Sequence, residues 1–446
     1  MIAARERLMG WGRFPAIEGL VERPSTIEQL RARVLSGRSL IARGNGRAYG
    51  DAALNELGTV SMLRFNRLLD FDVGTGQLVC EAGVLLDELL DVFVPRGWFP
   101  PVVPGTRFVT VGGMIAANVH GKNHPAAGAF GNHVAWLDLI TADGELVRCS
   151  STTRSELFAM TLGGMGLTGI VVRACLQLRR IPSAYLLRRR IVAADLATTL
   201  AAFQSNSTSS YAVAWIDCLA RGRSSGRALV DVAEHAELAD LPANLQEQPY
   251  YVPARRSLSL PFTPPFSPLN SLTVRGFNAC HFRLGRMSAA VALPDFNSWF
   301  FPLDRIAHWN RLYGPRGFTQ YQCVLPLAAA ESGLAALLQE IAHAGCGSFL
   351  SVLKRLGSWS GGLSFPADGY TLALDFAWSE TVAALLARLD AIVLAHGGHL
   401  YLAKDARLDR EHFDRMQPQA ARFREGRAAM GAAPVFQSLL SRRLGL

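Results

Sequence analysis

The chain has 446 residues, of which 50% are hydrophobic and 18% charged, and its formal net charge is +9. That length exceeds one small core and points to two domains or three, and the composition excludes a disordered or fibrous chain. The positive charge is spread along the chain and no nucleic-acid motif accompanies it, so phosphate-bearing ligands or a membrane surface are the expected partners, not nucleic acid.

Ser25-Thr26-Ile27-Glu28 has the pattern of a capping box, with Gly37 closing the helix it starts. Leu40 to Ala42 reads as a short buried strand running into a glycine-rich turn. A strand follows over Leu78–Val84, then an amphipathic helix over Leu85–Val94. Val134–Thr141 and Glu145–Cys149 flank Asp143-Gly144, which predicts a type I′ hairpin. Ile170–Leu178 is a β-branched strand, and Tyr211–Leu219 another. Six prolines between Pro249 and Pro268 forbid regular helix or central strand there and predict a long apolar loop. Strands are expected at Gln320–Leu325, Ser348–Leu353, Thr371–Phe376 and Leu400–Lys404, and helices at Ala328–Ala344 and Glu380–Ala395. The fold class is α+β.

Seven cysteines (80, 149, 175, 218, 280, 323 and 346) show no paired spacing, which predicts reduced thiols and no metal site. The opening residues MIAARERLMGWGRF lack an apolar run, and no uncharged stretch reaches the ~18 residues of a spanning helix, so a cytoplasmic location is expected.

Of 45 basic side chains only three are lysine: Lys122, Lys354 and Lys404. An ammonium is compact and loses its proton when buried or crowded, whereas a guanidinium stays charged. These three are therefore candidates for acid–base work, against the bland reading of chance survivors on the surface. Two glycine-rich segments also carry chemistry. In Arg43-Gly44-Asn45-Gly46-Arg47-Ala48-Tyr49-Gly50 the glycines let backbone N–H groups turn inward as an anion nest. This is not a G-x-G-x-x-G leading into a long helix, so a Rossmann site is excluded. The second runs Pro104-Gly105-Thr106, Thr110-Val111-Gly112-Gly113, then Ala116-Ala117-Asn118-Val119-His120-Gly121-Lys122-Asn123-His124, and lets a flat cofactor approach the backbone. Gln320 and Gln322 share one face of a strand, and Trp215 offers an apolar platform; ordinary packing is the competing reading for each.

Together with Gly163-Gly164-Met165-Gly166-Leu167-Thr168-Gly169, these segments resemble the flavin-binding domain of the vanillyl-alcohol-oxidase superfamily, the p-cresol-methylhydroxylase type. Within it the chain looks most like the decaprenylphosphoryl-ribose oxidase family, through GNGRAYGD, HGKNHPAAGAFGNHV, LTADGE, YAVAWID, GFTQYQCVLP, LSFP and YLAKDARL. The resemblance implies a two-domain fold: an FAD-binding domain over 1–180, and an antiparallel-sheet substrate domain over 181–399 with a mobile lid at about 221–298. Residues 400–446 would return to the FAD domain. It implies FAD contacts from Arg43, Gly44, Asn45, Gly46, Arg47, Ala48 and Tyr49, and from Gly105, Thr110, Val111, Gly112 and Gly113. Ala117, Asn118, His120, Gly121, Ile170 and Tyr401 would complete them. The FAD would be non-covalent, because Arg47 stands where relatives attach flavin through histidine.

All three lysines fall on the family's pocket positions. Lys404 would be the base, with its pKa depressed by Lys354 and Lys122; Tyr49 and His120 would sit where flavin and sugar meet. Lys122, Lys354, Trp215, Gln320, Gln322 and Asp375 would bind substrate. Departures are Ala373 for a common cysteine, Thr371 for an asparagine, and Phe300-Phe301 for a Tyr-His pair, which removes two polar groups from near the pocket. The implied activity is FAD-dependent oxidation of a sugar secondary hydroxyl, C2′ of a lipid-linked polyprenyl-phosphoryl ribose. An NADH-dependent short-chain reductase partner and the inner membrane face belong to the same reading. Oxidation of a soluble polyol or aldonolactone by oxygen, or a flavin- or lipid-binding scaffold without turnover, are the alternatives.

Overall fold

A computed structural model describes residues 2–253, 258–358 and 362–446. Residues 254–257 of the expected lid lie outside the described residues. Three sheets organise the molecule. Ile2–Met9 pairs antiparallel with Ala16–Arg23, and Thr59–Ser61 and Ile41–Arg43 extend that sheet in parallel. The second sheet is antiparallel, in the order Leu68–Asp72, Gln77–Glu81, Ile170–Gln177, Val134–Ile140, Leu146–Ser150. Helix Ile27–Val34 is capped one residue later than expected, by Thr26. Its hydroxyl accepts from Gln29 N–H, and the Gln29 side chain accepts from Ser25 N–H, so glutamine closes the box. The Asp143-Gly144 turn is not type I′. Of its two central residues only Gly144 has positive φ (78°), and Gly144 N–H donates to Thr141, giving a type I turn followed by a left-handed glycine.

The third sheet has eight strands. Its centre runs Ala228–His235, Tyr211–Ile216, Ser351–Leu356, Gly369–Ala377, Phe318–Pro326. Alternation divides the side chains between two faces. Leu353, Leu372, Leu374, Phe376 and Cys323 point into a core closed by helices Leu196–Ser205, Ala330–Ala344 and Glu380–Ala395. Burying each leucine of that core contributes about 2 kcal/mol. The opposite face carries Trp215, Lys354, Thr371, Ala373, Asp375, Gln320 and Gln322. The register fixes this: Lys354 pairs with Thr371, Gln322 with Ala373 and Gln320 with Asp375. Polar groups are thereby gathered on the face that meets the glycine-rich segments, where Ala212 N–H donates to the Lys122 carbonyl.

The segment 221–298 is not one continuous loop. It contains the inner strand Ala228–His235 and a helix, Ser271–Met287, capped by Asn270 just after the last of the six prolines. Strand Leu400–Lys404 shortens to His399–Leu400, and Lys404 lies in the turn beyond, its N–H donating to Tyr401. The C-terminal residues bind the first half. Arg427, fully buried, donates to the carbonyls of Leu167 and Phe436, and Arg443 bridges Asp51 and Asp405.

Candidate active site

The glycine turn 43–50 is wedged between three segments. Trp11 and Gly12 N–H groups donate to Ala48 and Tyr49 carbonyls, and Tyr49 N–H donates to Ala403. Gly44 meets Thr110 so closely that a Cβ would lie 2.1 Å from its hydroxyl, and Gly46 has φ +64°. Among the described residues, the N–H groups of Asn45, Gly46, Arg47 and Ala48 have no protein acceptor. Four successive unpaired donors form a cradle suited to a pyrophosphate, so the turn fits FAD. Arg43 stands behind this cradle, its guanidinium donating to the Met9 and Ala53 carbonyls, and Asn45 donates to the Phe108 carbonyl. Arg47 stacks on Trp11 at 4.0 Å with its Nε buried and unpartnered.

In the second segment, Val111 and Gly112 N–H groups are spent on Val84 and Ala82 carbonyls, and Thr110 caps Gly113. Gly105 faces open space. Asn118, at φ +38°, donates to Ser364 and accepts from Gly131 N–H, a structural role. Tyr401 donates to the Ala117 carbonyl and stacks on Phe365. Gly121 lies in the close-packed stretch between Val103 and Asn123, while Ile170 is fully buried in the apolar cluster with Ile140, Val172 and Phe436.

The three lysines are each half-buried. Lys404 Nζ lies 3.7 Å from the centre of the Tyr49 ring. Burial lowers its pKa first; Asp375 opposes the shift and Lys354 adds to it. Lys122 does not act on Lys404 directly, contrary to expectation, but is itself pushed down to about 7 by burial and by Lys354. Its ammonium donates to the Trp299 carbonyl and lies 4.1 Å from the Trp299 ring. Lys354, lowered to about 8 by burial, sits between the other two electrostatically.

The glutamines are committed to neighbours. Gln320 donates to Asp375 at 2.6 Å, and Gln322 donates to His120 Nε2 at 3.0 Å and to Thr371 at 3.1 Å. That contact fixes His120 with its proton on Nδ1, which is buried without a partner. Burial and the neighbouring cations keep the ring neutral. The Trp215 indole donates to the Phe349 carbonyl. Phe300 and Phe301 are core residues, 1% exposed each. Sequence reasoning missed Tyr313, buried beside Asp375 and stacked on Phe318 at 4.1 Å, and His124, which accepts from Gly357 N–H. It also missed the Trp299 cage around Lys122. No spacing signals Tyr313; the HGKNH cluster did contain His124.

This arrangement can hold a flavin, neutralise an anion and accept a proton, which defines an FAD-dependent oxidoreductase of the p-cresol-methylhydroxylase type. A family model described as an FAD binding domain matches residues 20–150. The chain is 37% identical over 99% of its length to the decaprenylphosphoryl-β-D-ribose oxidase of Mycolicibacterium smegmatis, covering 98% of that protein. It is 37% identical over 81% of its length to an uncharacterised protein of Streptomyces coelicolor, covering all of it. It is 26% identical over 38% of its length to the L-gulonolactone oxidase of Bos taurus, covering 40% of that chain. The chain belongs to the decaprenylphosphoryl-β-D-ribose oxidase family, and FAD is its cofactor.

Proposed function

We propose that this chain oxidises the C2′ hydroxyl of a polyprenyl-phosphoryl-β-D-ribose to the 2′-keto form, the first half of an epimerisation to arabinose. The observation that carries the reading is the lysine set: three ammonium groups, all with lowered pKa, one of them against Tyr49 and balanced by Asp375. Neutral Lys404 takes the hydroxyl proton as the C2′ carbon becomes a carbonyl. Bound FAD supplies the two-electron acceptor. A phosphodiester entering beside Lys354 and Lys122 raises their pKa values, so both remain protonated and hold it. Tyr49 shields the base, and Gln322 keeps His120 neutral and oriented toward the sugar.

Residues 1–180 act as the cofactor domain, 181–399 as the substrate domain, and 400–446 as the segment that returns Lys404 to the cofactor. Arg47 occupies the histidine slot, so the flavin is held without a covalent bond. The chain carries no dinucleotide fingerprint of its own, so the ketone passes to a separate NADH-dependent short-chain reductase. No helix of the described residues is long and apolar enough to cross a membrane; the lipid substrate is met at the inner membrane face. Anaerobic addition of farnesyl-phosphoryl ribose bleaches the flavin absorption band, whereas xylitol and gulonolactone do not. Bleaching by the polyol or lactone alone would replace the lipid-linked substrate with a soluble one.

A further inference from the structure

A helix docked on a sheet ordinarily turns its polar side to water. Helix Ser271–Met287 departs from this. Its inner side is buried through Val274, Asn278 and Gly285, and Asn278 donates to Asp217 at 2.9 Å, which fixes its rotation. Its outer side exposes Leu272 (80%), Leu284 (62%) and Met287 (73%), with Phe277 at the edge. Arg275, Arg283 and Arg286 are interleaved with them, and the helix has no Asp or Glu. The proline-rich stretch before it adds Phe262 and Phe266, 67% and 73% exposed.

Buried ring contacts connect this helix to the active site. Phe277 meets Phe349 at 5.6 Å, Phe349 meets Tyr313 at 6.1 Å, Tyr313 stacks on Phe318 at 4.1 Å, and Phe318 meets Tyr49 at 5.4 Å. Tyr49 carries Lys404 on its face. An unbroken aromatic line thus joins the exposed helix to the base.

We propose that helix Ser271–Met287 is the membrane-docking element of this enzyme and that its occupant is an anionic bilayer. Exposed leucine, methionine and phenylalanine side chains enter the acyl boundary while the three arginines pair with lipid phosphates. Charge complementarity selects anionic lipid: the outward face holds cations only, on a chain of net charge +9. The buried aromatic line then holds the docked helix in fixed register with Lys404, so that a lipid-linked substrate is presented at a set distance from the bilayer, a part that rests on the lipid-linked substrate reading.

The test is co-sedimentation of the full-length holoenzyme with phosphatidylcholine vesicles, with and without about 30% phosphatidylglycerol. Binding is expected on the anionic vesicles only, and should weaken steeply with salt. Replacing all three arginines (Arg275→Gln, Arg283→Gln, Arg286→Gln) lowers it roughly 100-fold, at about fivefold per cation. Leu284→Asp with Met287→Asp abolishes it, and both sets leave the fold intact because the side chains are exposed. Bleaching by farnesyl-phosphoryl ribose in solution is unchanged in every variant. A wild-type enzyme that stays in the supernatant, or variants that sediment like it, would overturn the docking surface. If bleaching persists in that case, the substrate reading stands alone; sedimentation without any bleaching would remove the substrate reading and keep the docking helix.

Discussion

Asp375 and Lys354 pull the pKa of Lys404 in opposite directions, and the acid limb of the pH profile reads both. The base must be neutral, so kcat/KM rises with pH through the Lys404 pKa. Asp375→Asn is isosteric and keeps an acceptor for Gln320, whose amide now donates to it at 2.6 Å. It removes the negative charge that stabilises the ammonium. For any unit charges about 5 Å apart at an effective dielectric of about 20, the interaction is worth roughly 3 kcal/mol, or about two pKa units, which bounds the effect of Asp375. Burial raises the Asp375 pKa as well, so the carboxylate is incompletely charged where Lys404 titrates, and the usable shift is about one unit. Asp375→Asn therefore moves the acid limb about one unit to lower pH. Lys354→Met removes a like charge and moves it to higher pH. The assay is stopped-flow anaerobic flavin reduction by farnesyl-phosphoryl ribose, from about pH 5 to 10. Limbs that stay in place, or shift the same way in both variants, would refute Lys404 as the group that titrates.

Three further outcomes follow from the same geometry. Lys404→Arg keeps the flavin absorbance, because Arg47 and the unpaired turn amides are untouched, but lowers reduction by roughly 10²- to 10⁴-fold; single-turnover rates check this. Gly44→Ala drives a methyl to 2.1 Å from the Thr110 hydroxyl, so the purified variant retains less FAD and loses about 1–3 kcal/mol in urea unfolding. Arg427→Met leaves the Leu167 and Phe436 carbonyls without their buried donor and costs about 2–4 kcal/mol, measured by the same unfolding curves with flavin-free protein as reference.

Much of the site was legible because its carriers are compositional. Three lysines in an arginine-rich chain and two glycine-rich runs stand out without any structure. Strand alternation also placed Gln320 and Gln322 on one face correctly. What those glutamines touch was not legible, because cross-strand register sets it: Gln320 opposite Asp375 turns a sugar-binding candidate into a carboxylate partner. Tyr313 arrives from a short turn-like helix, Trp309–Tyr313, that has no periodicity to read. Helix Ser271–Met287 was hidden by the six prolines before it, whose breaking effect ends at Asn270. The strength of burial was missed too. Desolvation, not mutual repulsion, is the first cause of the lowered pKa in all three lysines, and it depends on packing that composition does not encode.

Oxidation at C2′ requires that the C2′–H bond, and no other, breaks as the flavin is reduced. Farnesyl-phosphoryl ribose carrying deuterium only at C2′ should slow anaerobic flavin reduction by a primary isotope effect, about threefold or more if this step limits the rate, while deuterium at C3′ should leave it unchanged. A primary effect from C3′ with none from C2′ would contradict oxidation at C2′ by the Lys404 site.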